Sequence, residues 1–321
     1  MIEVLIVLGV LLIITLIISM IAYKMAFYSP KKRISNVYDI PDEDQPEEAN
    51  AFIYKMIEDM QSRKCEHITI SSHDGLKLFG RYYHFVDGAP ILLQFHGYRG
   101  SAERDMCGGN KVAFERGYNC LVVDHRAHGK SEGRTISFGI KERFDVVAWC
   151  NYIVDRFGEN TLITISGVSM GGATVLMASD LNLPKNVIGI WADCPYSSPK
   201  DIINKVVSND MKLPAWILWP FIWLGAFIFG GVNLNATSAE KALKKVKIPT
   251  YIVHGETDKL VPVEMSTKLA SINPSLITVK TFKNAGHGMS FIVDNANYIE
   301  LEDEFWQYCI KEYHNKLKKT V

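Results

Sequence analysis

The segment Gly167-Val168-Ser169-Met170-Gly171 follows the apolar run Leu162-Ile163-Thr164-Ile165 and precedes the helix-compatible stretch Ala173-Thr174-Val175-Leu176-Met177-Ala178. This puts a serine on a sharp strand-to-helix turn, where small neighbours are a steric requirement because the two backbones nearly touch. A hydroxyl presented in this way can attack a carbonyl carbon, and the Met170 amide at the helix N-terminus can receive the charge that develops on oxygen. Such a serine needs a base, and the base an orienting acid, in the chain order Ser, Asp, His. The β-rich run Thr250-Tyr251-Ile252-Val253 opens into His254-Gly255-Glu256-Thr257-Asp258, and Asp258 is the natural acid. The alternating run Leu276-Ile277-Thr278-Val279-Lys280-Thr281-Phe282 leads to Asn284-Ala285-Gly286-His287-Gly288, and His287 is the natural base. A carboxylate on its Nδ1 would fix the tautomer and stabilise the imidazolium.

The remaining histidines read as structural. His254 ends a strand, and His125 and His128 lie in Asp124-His125-Arg126-Ala127-His128-Gly129-Lys130-Ser131 without metal-ligand spacing, which suits residues that hold a loop by hydrogen bonds. His96 precedes Gly97-Tyr98 at the end of Ile91-Leu92-Leu93-Gln94-Phe95, and a His-Gly turn there shapes a loop whose Tyr98 amide is the second oxyanion donor. Asp193, after Val187-Ile188-Gly189-Ile190-Trp191, is a rival acid; it runs straight into Cys194-Pro195-Tyr196, the entrance to an insertion.

Taken together and in this order, His96-Gly97-Tyr98, the 124–131 segment, Gly167-Val168-Ser169-Met170-Gly171-Gly172, His254-Gly255-Glu256-Thr257-Asp258 and Gly286-His287-Gly288 give a chain that resembles an α/β-hydrolase of the serine aminopeptidase S33-like or esterase-like kind, over about residues 68–313. More narrowly, it is similar to a group of bacterial membrane-anchored hydrolases with an apolar N-terminal helix. It departs from that pattern at Ala127, where relatives carry glycine in an Arg-Gly-His-Gly turn.

The elements that must position these residues alternate along the chain. Strands are expected near 66–71, 77–85, 90–95, 118–123, 161–166, 187–192, 249–254 and 276–282, and helices near 102–116, 140–157, 171–181, 263–272 and 295–317. This alternation predicts an α/β fold with a mostly parallel eight-stranded sheet, helices on both faces and an antiparallel start. A hydrolase domain over 65–318 would carry a helical cap insertion at about 197–247, after strand six. The cap centre, 213–229, is aromatic and apolar. One reading makes it a lid helix pair, broken by Pro214 and Pro220, that roofs an acyl pocket with Trp216, Trp219, Phe221 and Trp223 as substrate-binding residues; the other makes it a buried cap core. A second membrane span there is rejected, because it would put Ser169 and its partners on opposite sides of a bilayer.

Residues 4–23 form a nearly unbroken apolar run, about the 20 residues that one bilayer crossing needs. No basic segment precedes it, which favours an anchor over residues 1–25 rather than a cleaved signal. Lys24, Lys31, Lys32 and Arg33 follow it and only Glu3 precedes it, so the positive-inside rule keeps the catalytic domain cytoplasmic. Residues 26–64 then hold an acidic linker at 39–50, with Pro41 and Pro46, and an amphipathic helix at 51–61. Acidic and basic residues balance at 35 each, which leaves no basic surplus for nucleic acid. The six cysteines are scattered without a C-x-x-C pair, and Cys120, Cys150 and Cys194 read as small buried hydrophobes.

These features point to hydrolysis of a small-molecule carboxylic ester of acyl or lipid-like kind through Ser169, His287 and Asp258 with the Tyr98 and Met170 amides and with neither metal nor cofactor. A peptidase or thioesterase is the alternative within the chemistry. A peptidase acting on free N-termini would need a carboxylate, for which Asp201, Asp210 and Glu240 are the cap's candidates. A membrane-tethered binding scaffold without catalysis is the alternative of another class.

Overall fold

The computed structural model describes residues 1–30, 36–38 and 47–320. Lys31, Lys32, Arg33, Pro41, Pro46 and most of the expected acidic linker lie outside the described residues. The chain begins with two helices, α1 (Ile2–Ala26) and α2 (Glu47–Ser62), the latter starting before the expected residue 51. Eight strands follow: β1 (Glu66–Ser71), β2 (Lys77–Tyr83), β3 (Ile91–Phe95), β4 (Asn119–Val123), β5 (Ile163–Val168), β6 (Val187–Asp193), β7 (Thr250–Gly255) and β8 (Ile277–Phe282). Between them run α3 (Ala102–Asp105), α4 (Cys107–Glu115), α5 (Glu142–Phe157), α6 (Met170–Ala178), α7 (Pro199–Lys205), a π-helical turn (Val206–Asp210), α8 (Ala215–Gly230), α9 (Ala239–Leu243) and α10 (Val263–Ala270). The chain closes with α11 (Ser290–Val293) and α12 (Asn295–Thr320).

All eight strands form one sheet in the order β1-β2-β4-β3-β5-β6-β7-β8. β2 is antiparallel to both β1 and β4, and every pairing from β4 to β8 is parallel. The central strands β3, β4 and β6 are buried at every position, as strands covered on both faces must be. At the edges, β1 and β8 alternate in burial. Alternation along the central strands splits the core in two. Leu93, Phe95 and Leu121 pack with α5 and α6 on one face, and Leu92, Cys120 and Val122 pack with α2, α4 and α12 on the other.

Two elements differ from the sequence expectation. The helix expected over 102–116 bends at Met106, as Asp105 turns its carboxylate onto the Gly97 amide at 2.9 Å. The cap centre is one helix rather than a pair. Pro214 lies outside the first turn, and α8 runs through Pro220, where the missing N–H removes a single bond to the Trp216 carbonyl.

α1 is long and apolar enough to cross a membrane. Residues 2–14 are exposed, whereas Ser19, Tyr23 and Phe27, spaced by four, are buried against the body. Tyr28 bridges to Thr135, and Phe27 packs edge-on against Phe138.

Candidate active site

Ser169 stands between β5 and α6 with φ 55° and ψ −115°, a sparsely populated positive-φ conformation that costs a non-glycine residue on the order of 1–3 kcal/mol. The turn is held because its neighbours are glycine: a Cβ on Gly171 would drive into the Phe95 carbonyl, and one on Gly167 into the Gly171 backbone. The Ser169 amide donates to the Asp193 carbonyl at 2.8 Å, which ties the turn to β6. The side chain therefore stands above the C-terminal edge of the parallel strands, beside the first amide of α6.

His287, in the loop after β8, brings Nε2 to 2.9 Å from Ser169 Oγ and Nδ1 to 2.7 Å from Asp258 Oδ2. With the ring proton on Nδ1 donated to the carboxylate, Nε2 is left to accept the serine proton. Asp258, in the turn after β7, also accepts on Oδ1 from the amides of Leu260 and Val261 at 2.9 and 2.8 Å. Burial works to raise its pKa, yet hydrogen bonds from His254 and His287 outweigh it and hold the carboxyl well below the usual range.

His254 is the positioning residue that sequence reasoning left as plain structure. Its Nε2 lies 3.1 Å from Asp258 Oδ2 and 2.8 Å from the Val261 carbonyl, while Nδ1 meets Ser266 Oγ at 2.6 Å. It is fully buried and braces the acid from below. The i,i+4 spacing of His254 and Asp258 across a turn was the available signal.

Asp193 lies apart from this chain of bonds. Its Oδ2 accepts from Tyr298 at 3.2 Å, and burial pushes its carboxyl up to about 6. Cys194 follows with its thiol 4.0 Å from His287 Nε2. Cys194, Asp258 and His287 have ligand atoms within 4.8 Å of one another, but burial pushes the thiol pKa well up, which keeps it protonated and a poor metal ligand.

On the other side of Ser169, Gly97 presents bare backbone: a Cβ there would stand 3.5 Å from the Ser169 Cβ. Tyr98 is next, its ring stacked on Phe138 and its hydroxyl donating to the Ala26 carbonyl at 2.8 Å. Two histidines shape this loop. His96 meets the Gly97 carbonyl through Nδ1 and accepts from the His125 amide through Nε2, and burial lowers its pKa. His128 Nε2 accepts from the Arg99 amide at 3.0 Å. His125 differs from the expectation: neither ring nitrogen has a hydrogen-bond partner among the described residues, and it acts by packing among Phe95, His96 and His128. Ala127 has φ 63°, the conformation for which glycine is the unstrained choice.

A cavity of about 270 Å³ opens at Ser169 and His287. Its apolar walls come from Ile53 and Met56 of α2, Met106 before α4, and Met289 and Phe291 near α11. The amphipathic spacing of Ile53, Met56, Ile57 and Met60 was legible, though not that this face borders the site. Part of its lining is polar. Gln94 Oε1 and Asp193 Oδ1 are buried there without a hydrogen-bond partner among the described residues, while Glu302 Oε2 lies 3.7 Å from Arg116 and burial pushes the Glu302 carboxyl up to about 7. None of Trp216, Trp219, Phe221 and Trp223 borders this cavity. The reason is that α8 turns its small residues onto α1, where Gly225 abuts the Ser19 carbonyl, and leaves Trp216 81% exposed. The cap carboxylates are also engaged: Asp201 with Ser197, Asp210 with Lys205 and Glu240 with Lys268.

A profile described as the alpha/beta hydrolase fold matches residues 90–218. The chain is similar to the uncharacterized protein YqkD of Bacillus subtilis, 26% identical over 189 residues that span 59% of this chain and 62% of that protein. It is 24% identical over 272 residues to the non-heme chloroperoxidase CPO-A1 of Kitasatospora aureofaciens, covering 69% of this chain and 92% of the peroxidase. Among solved structures, the Pyrococcus furiosus esterase Pf2001 aligns with a TM-score of 0.64 at 25% identity, over 78% of this chain and 93% of the esterase.

Proposed function

From a chain that belongs to the α/β-hydrolase superfamily, we propose a serine hydrolase that cleaves carboxylic esters through Ser169, His287 and Asp258. The observation that carries this reading is the continuous hydrogen-bonded path from Ser169 Oγ through both His287 nitrogens to Asp258, set on a strained turn. In the first step Ser169 Oγ attacks the ester carbonyl as its proton passes to His287 Nε2, and Asp258 stabilises the imidazolium. The oxyanion takes hydrogen bonds from the Tyr98 and Met170 amides. Collapse of the tetrahedral intermediate breaks the bond to the alkoxy oxygen, which leaves with the His287 proton. Water deprotonated by the same nitrogen then releases the acid and restores the serine.

The cavity favours a modest acyl or alcohol group, since ligand pockets start at about 300 Å³ and its 270 Å³ falls just below. In a chain-length series of p-nitrophenyl esters, turnover by the full chain should peak at short to medium acyl groups and vanish in Ser169→Ala. A flat series, or equal rates with the variant, would count against the assignment.

The polar part of the lining supports a second reading. Buried acceptors on Gln94 and Asp193 suit a donor-bearing group such as an ammonium, so a peptidase acting on free N-termini is tested by comparing aminoacyl p-nitroanilides with esters. The chain is read as held by α1 in a bilayer, with its body on the cytoplasmic side because Lys24 and the basic residues at 31–33 follow the helix.

A further inference from the structure

α8 is apolar on all sides, yet it sits at the surface. Trp216, Ile217, Phe227 and Ile228 are exposed, and so are Met211 and Leu213 in the turn before it. Lone exposed apolar residues are ordinary, whereas a contiguous set marks a face that meets something other than water. What it meets is indicated by α1. Gly225 lies against the Ser19 carbonyl, and Gly230 lies against Tyr23 and Thr135, so the two helices run side by side along the last turns of α1. Phe229 packs 6.0 Å from Tyr23.

The depth follows from the helix rise. If residues 4–23 of α1 fill the hydrocarbon layer, Ser19 lies four residues, about 6 Å, inside its body-side boundary. Gly225 shares that level. The pairs Gly225–Ser19 and Gly230–Tyr23 rise in the same chain direction, so the part of α8 before Gly225, with Trp216, points away from the body and toward the leaflet interior.

We infer that α8 and the Met211–Leu213 turn are seated in the lipid leaflet beside α1, so that the mouth of the Ser169 site opens at the bilayer surface. Two contacts link the cavity wall to the membrane elements: Tyr98, which lines the cavity, is bonded to the last turn of α1, and Lys205, just before the π-helical turn that leads to α8, holds the Lys259 carbonyl next to the cavity residue Leu260. An amphiphilic ester could enter from the leaflet without crossing bulk water. This inference rests on the anchor reading of α1.

The test reconstitutes the full chain in phosphatidylcholine vesicles with brominated acyl chains, with unbrominated vesicles as reference. Trp216→Phe, a conservative change at an exposed position, isolates one indole. The expected result is that protein floats with the vesicles and that bromine quenches wild-type tryptophan emission more than that of the variant. Flotation with equal quenching of both overturns the seating of α8 while leaving the anchor standing. Failure to float overturns the anchor reading, and the inference with it.

Discussion

Asp258→Asn is the perturbation whose outcome the geometry dictates most closely. One carboxylate oxygen accepts from the Leu260 and Val261 amides at 2.9 and 2.8 Å, and the other faces His287 Nδ1 at 2.7 Å. Asparagine keeps only one acceptor oxygen. Turning its NH₂ toward the two amides would strand two buried donors at about 1–3 kcal/mol each, so the oxygen stays with them and the NH₂ faces His287. Nδ1 must then accept, the ring proton moves to Nε2, and Nε2 loses the lone pair that takes the serine proton. The same tautomer trap in the serine protease triad lowers kcat about 10,000-fold, equivalent to about 5.4 kcal/mol. Initial rates with p-nitrophenyl butyrate, on variant whose circular dichroism matches wild type, should show a loss of this order with KM little changed. A kcat within tenfold of wild type in folded Asp258→Asn would refute the role of Asp258 and reopen the case for Asp193.

Three further outcomes follow from other contacts. Gly171→Ala forces a Cβ into the Phe95 carbonyl, where neither backbone can yield; urea unfolding should register a loss of about 3 kcal/mol or more. Tyr98→Phe keeps the ring on Phe138 and the backbone amide but loses the bond to Ala26, about 0.5–1.5 kcal/mol, so kcat should fall several-fold at nearly constant KM. Asp193 has its carboxyl raised by burial from 3.8 to about 6, so the folded state binds its proton more tightly than the unfolded chain does. The stability it contributes is therefore full below pH about 4 and is lost as pH rises through about 6. Asp193→Asn should flatten the fall in unfolding free energy across that window while leaving esterase activity in place, and an unchanged slope would show that the carboxyl is not a buried acid.

Much of the architecture was legible because the central strands are short apolar runs bounded by turn residues, too brief for buried helices, and they alternate with longer helical segments. Ser169, His287 and Asp258 were legible from order and local context, since each ends a strand that a parallel sheet brings to one edge. What the sequence hid was contact between distant segments. His254 reads as a strand-end histidine until the turn folds Asp258 and Ser266 around it. The run at 213–229 has the same composition whether it roofs a pocket or packs on a second apolar helix; Gly225 against Ser19 decides for α1, and neither residue signals the pairing by itself. The bend at Met106 was invisible for the same reason, because its cause is the Gly97 amide several residues upstream.

The most direct test of the central claim is covalent capture of the nucleophile. Detergent-solubilised full-length protein is treated with a fluorophosphonate probe, digested and mapped by mass spectrometry, with Ser169→Ala as the control. The account predicts a single phosphonylated peptide carrying the adduct on Ser169, absent from the variant and prevented by prior denaturation. Folded wild-type protein that takes up no probe, or that takes it up equally after Ser169→Ala, would contradict an activated serine at this site.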